Sequence, residues 1–98
     1  MTLPLRGWLM EDKRVAGEFA GTVQRLGARS LDASLEVEVA VLTNVKLRLR
    51  DPRSGQESGD VYGKVVGVTA GPDGHSVRIR LTSVDAADQK LIDTLLGR

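Results

Sequence analysis

Leu31-Asp32-Ala33-Ser34-Leu35-Glu36-Val37-Glu38-Val39-Ala40-Val41 alternates without interruption. The odd positions are all aliphatic, and Asp32, Ser34, Glu36 and Glu38 stand between them. Successive side chains of a β-strand point to opposite faces, so a period of two marks a strand with one face buried and the other wet. The same parity resumes at Val45, Leu47 and Leu49 against Lys46, Arg48 and Arg50, with Thr43-Asn44 as the expected bend between the two runs. Val77, Ile79 and Leu81 against Arg78 and Arg80 repeat the pattern. Val61 to Thr69 is rich in β-branched residues and holds Gly63 and Gly67, which predicts a bulge or the close approach of another backbone. Gly71-Pro72-Asp73-Gly74 suits a type I turn and predicts a hairpin with the Val77 strand. Val15 to Leu26 forms a weaker strand with Phe19 and Val23 on one face.

One stretch has helical spacing. Asp85 can cap it, Asp88 suits the positive end of the helix dipole, and Leu91, Ile92, Leu95 and Leu96 make an apolar stripe before Gly97. The whole therefore predicts a mainly β fold: a small antiparallel β-barrel of about six strands with a C-terminal α-helix, because closure hides the edges of many short strands. The expected division of the single domain is an N-terminal segment over residues 1–13, a barrel over 14–84 and a helix over 85–97. Asp51 to Gly59 is polar and rich in turn formers, and is the expected loose segment.

Composition narrows the function. The 98 residues carry 14 Lys and Arg against 13 Asp and Glu, a formal charge of +1, with 41 % hydrophobic residues, which is ordinary for a folded domain. Like charges form no block, which argues against a polybasic nucleic-acid arm. There is no cysteine and one histidine, His75, so disulfide, thiolate and polyhistidine metal chemistry are excluded. His75 follows a turn and is expected as an exposed loop residue. Phosphate-loop, dinucleotide, zinc-protease and nucleophile-elbow motifs are missing, which points away from an enzyme, and no cofactor or metal is expected. The apolar N-terminus is short and interrupted by Arg6, so neither a signal peptide nor a membrane span is read, and a cytoplasmic protein is expected.

Val61-Tyr62-Gly63-Lys64-Val65-Val66-Gly67-Val68, then Val77-Arg78-Ile79-Arg80-Leu81-Thr82-Ser83-Val84-Asp85, then the helix from Asp88, resemble the C-terminal half of PilZ domains. Phe19 to Leu31 looks like the strand and turn that carry the PilZ D/N-x-S-x-x-G motif. The resemblance implies a six-stranded barrel with a C-terminal helix and a signalling module that binds cyclic di-GMP. It implies arginines on phosphates and guanine edges, and an acid or amide with a serine on a guanine. The sequence departs from both family motifs. Arg25 and Gly27 stand where the acid or amide and the serine belong. A second register offers Asp32 and Ser34, but Val37 then replaces the glycine. Arg25 and Arg29 spell R-x-x-x-R, only three residues before Asp32. The degenerate, PilZ-like members, some of which act through protein contacts, are the nearer comparison.

The candidate ligand residues are accordingly Arg25, Arg29, Asp32 and Ser34. Lys46, Arg48, Arg78 and Arg80 lie on polar strand faces and make a candidate basic patch for a nucleotide, RNA or an acidic protein, with a small RNA- or DNA-binding barrel as the less favoured alternative, and Glu36 and Glu38 could neutralise the patch across the strands. Trp8 and the helix residues Leu91 and Leu95 are candidates for contact with a protein partner or a second copy, although Trp8 equally suits one end of the barrel and the leucines suit a core. The three aromatics of the chain, Trp8, Phe19 and Tyr62, are few for stacking single-stranded nucleic acid.

Overall fold

In the computed structural model, which describes residues 3–71 and 74–97, the alternating stretches become strands of one closed antiparallel barrel. The strands are β1 (Leu3–Glu11), β2 (Arg14–Leu26), β3 (Ser30–Leu35), β4 (Asn44–Leu49), β5 (Val61–Gly71) and β6 (Gly74–Ser83). A single helix, α1 (Ala86–Leu95), follows them. Around the ring the order is β1-β2-β3-β6-β5-β4, and β1 closes the ring on β4. No helix among the described residues is long and apolar enough to cross a membrane.

Alternation decides the inside. Val45, Leu47 and Leu49 of β4, and Val77 and Ile79 of β6, are at most 2 % exposed, and the residues between them face outward. Each such aliphatic side chain taken from water contributes roughly 1.5–3 kcal/mol. Two inward positions are glycines because something else fills the space. Phe19, opposite Gly7, lays its ring where a Cβ of residue 7 would stand. At Gly63 a Cβ would lie 2.7 Å from Ile79 Cγ2 and 2.9 Å from the Arg80 carbonyl oxygen. The expected irregularity of this strand is present as register shifts at Tyr62/Gly63 and Val65/Gly67.

Several expectations need correction. Residues 3–11 do not stand ahead of the barrel, because they form β1, one of its staves. Asp12 and Lys13 take φ of 49° and 65° in the two-residue turn to β2, the left-handed pair that a twisted hairpin requires. The Leu31–Val41 run does not stay a strand to its end. β3 stops at Leu35, opposite His75, and β6 begins one residue before His75, so the ladder on that side has no further partner. Val39 still reaches the core, but Val41 is 51 % exposed. The bend is a turn in which the Thr43 N–H donates to the Ala40 carbonyl, and Leu42 has φ of 76°. His75 is not in a loop: it is a half-buried residue of β6. Gly71 pairs with Gly74, so the expected hairpin forms, while Pro72 and Asp73 lie outside the described residues.

The segment from Asp51 to Gly59 is tied down, contrary to its polar composition. Ser58 is buried. It donates its N–H to the Leu49 carbonyl at 2.8 Å, and its hydroxyl accepts from the Leu49 N–H at 2.9 Å. The Asp51 carboxylate accepts the Arg53 N–H at 2.8 Å, and that bond holds its pKa below the ordinary value. Helix α1 begins as expected, with the Asp85 carboxylate accepting the Asp88 N–H at 2.8 Å. Gly97, at φ of 77°, follows its C-cap. Leu91, Ile92 and Leu95 join the core, and the buried Asp88 carboxylate accepts the Gly59 N–H at 2.8 Å.

Candidate functional site

Register carries the candidate ligand residues into one neighbourhood. A bulge between Val23 and Arg25 resets β2 against β3, so Arg25 stands opposite Asp32. Asp32 stands opposite Arg78 on β6, and Arg78 opposite Gly67 on β5. Arg78 Nε donates to Asp32 Oδ1 at 2.9 Å, and this bond raises the pKa of the Arg78 guanidinium. Two residues along each strand, Ser30 pairs with Arg80. The β2–β3 turn docks on β6 through a 2.8 Å bond from the Leu81 N–H to the Arg29 carbonyl. Four arginines, Arg25, Arg29, Arg78 and Arg80, thus come from β2, its turn and β6 to one region of the surface, and of these Arg78 is the one paired with Asp32 among the described residues. All four are exposed. Ser34 lies between Thr22 and Ser76, away from the arginine end. An open groove of about 500 Å³ runs over this face, lined by Gln24, Asp32, Thr69, Ser76 and Arg78 together with residues 66–68 of β5.

The candidate basic patch divides. Arg78 and Arg80 belong to the cluster just described, while Lys46 and Arg48 lie on β4, with β5 between. Lys64 on β5 stands opposite Arg80 and Asn44 and links the two. Glu36 and Glu38 do not neutralise the patch: neither forms an ion pair among the described residues, because both fall beyond the end of β3. Asp60 does so instead, 3.0 Å from Arg48 Nε, with Glu57 at 4.0 Å from Arg48 Nη1.

The candidate partner contacts also divide. Leu91 and Leu95 are 4 % and 7 % exposed, so they are core residues and offer no surface. Trp8 is half-buried on the outer face of β1, not at a barrel end. Three cations lie over its ring: Lys46 Nζ at 4.9 Å, Arg6 Cζ at 5.1 Å and Arg48 Cζ at 5.3 Å from the centroid. Arg6, Tyr62 and Lys64, which the sequence did not place in a site, join this second cluster, Arg6 through the β1–β4 pairing that closes the barrel and Tyr62 and Lys64 through the β4–β5 ladder. No family model matches the chain, and no curated protein matches it.

Proposed function

We propose that the chain is a non-enzymatic PilZ-like signalling module of the cytoplasm that docks an anionic ligand or partner on the β2–β3–β6 face. The observation that carries this reading is that register gathers Arg25, Arg78 and Arg80, with the turn that bears Arg29, along β3, where Asp32 pairs with Arg78 alone among the described residues. Guanidiniums bind phosphate or carboxylate bidentately, and several exposed ones around one acid leave an excess of positive charge for an incoming anion. The closed six-stranded barrel with its C-terminal helix is the form that a PilZ resemblance implies.

Within this reading the acidic surface of a protein partner is favoured over cyclic di-GMP itself. The carboxylate that would read a guanine edge is already engaged by Arg78 at 2.9 Å. Isothermal titration with cyclic di-GMP separates the two. Saturable micromolar binding that is lost in Arg25→Ala or Arg29→Ala supports a receptor. Absence of heat at high ligand concentration excludes direct binding and leaves the adaptor role.

A further inference from the structure

On the other half of the ring, β1, β4 and β5 are neighbours, and their outward side chains form a row. Tyr62 on β5 stands opposite Lys46 on β4, and Lys46 stands opposite Trp8 on β1. The order across the strands is therefore aromatic, cation, aromatic, with the two rings about two strand spacings, or ~10 Å, apart. Arg6 and Arg48, themselves cross-strand partners, flank Trp8 on one side, and Lys64 flanks Tyr62 on the other. Tyr62 is 41 % exposed. Beyond it the face continues into a groove of about 450 Å³ lined by Met10, Asp12, Lys13, Asn44 and Thr82.

We propose that this face binds single-stranded nucleic acid, a ligand distinct from that of the arginine cluster. Any base offers a π-face to Trp8 and Tyr62, and a positively charged surface between and around them follows the phosphates. Asn44 and Thr82 supply hydrogen-bonding groups in the adjoining groove. The charge is available. Among the described residues Lys46 and Lys64 take part in no ion pair. Arg6 and Arg48 are held only by exposed partners, Glu18, Glu57 and Asp60, and exposed pairs are weak enough for a phosphate to displace. An acidic peptide would match the cations but would leave the exposed Tyr62 ring without a stacking partner and would draw the cations off Trp8 with nothing to stack in their place, so the aromatic spacing favours the nucleic acid. Three aromatics are few for a chain of this length, but two of the three share this face.

Trp8 is the sole tryptophan, so its emission reports binding at this surface directly. Titration of the full chain with oligothymidylate of about 15 nucleotides, a length matched to small barrels, is expected to quench it saturably at low salt. With three or four phosphate contacts the log–log salt slope is expected at about −2 to −3. Lys46→Glu is expected to weaken binding at least ~10-fold, and Tyr62→Ala by a similar factor through loss of one stacked base. Arg25→Ala should leave this binding unchanged, which keeps the outcome separate from that of the cyclic di-GMP titration. Circular dichroism verifies that each variant is folded, and Tyr62 is exposed enough for its truncation to be tolerated. Three results overturn the proposal: no quenching, equal binding to a duplex of the same length, or saturable quenching by polyglutamate and not by the oligonucleotide.

Discussion

A methyl group at residue 63 has nowhere to go. It would meet Ile79 Cγ2 at 2.7 Å and the Arg80 carbonyl at 2.9 Å, one a branched core side chain and the other backbone. Neither yields without disturbing the β5–β6 ladder, so Gly63→Ala is expected to cost about 1–3 kcal/mol by urea unfolding. An unchanged midpoint would show that the strands separate more easily than their packing indicates. The sequence announced this residue, because a glycine inside a β-branched run marks a place where the strand bulges or another chain segment comes close. It announced Arg25 and Asp32 only as neighbours along the chain. Their juxtaposition depends on the bulge after Val23, which no residue type there signals. Tyr62 and Lys64 were assigned to no site for a related reason: each is an ordinary outward residue until its cross-strand partners are known.

Among the elements, the helix was the most legible and its beginning can be tested alone. Asp85→Ala removes the 2.8 Å bond to the Asp88 N–H and is expected to destabilise the fold by about 1 kcal/mol, read as a fall in thermal midpoint, with Asp85→Asn recovering most of it. A loss as large as that of a core truncation would mean that the cap also holds the Asp88–Gly59 link. Strands β4 and β6 were read from alternation because each is wet on one face along its whole length. Alternation overran β3, since a periodic pattern records which way side chains point and not whether a ladder partner is present. Strand β1 was hidden for two reasons. Its turn to β2 uses Asp12-Lys13 in place of the glycine pair that usually marks a tight hairpin, and its apolar residues read as a bare N-terminal segment. Asp51 to Gly59 misled in the opposite sense, because its polar side chains serve as acceptors for its own backbone.

For the whole molecule, period and composition were enough to predict a barrel, but not which stave touches which. The β3–β6 and β1–β4 pairings join distant residues, and both clusters described above are made by them. The ring order has a further consequence. Strands β1, β2 and β3 succeed one another in space as they do in sequence, and β4, β5 and β6 do the same, so the barrel is two three-stranded meanders joined edge to edge. One covalent link crosses between them, the connector from Glu36 to Thr43. Severing it leaves two fragments, each with a pair of open edges that the other is shaped to cover. Coexpressed, such fragments are expected to reconstitute the barrel and to copurify through a tag on one of them. Independent precipitation of both would mean that the connector, whose Val39 sits in the core, contributes more than a tether. A barrel built this way lends itself to use as a two-part reporter, in which assembly of the halves is what is read out.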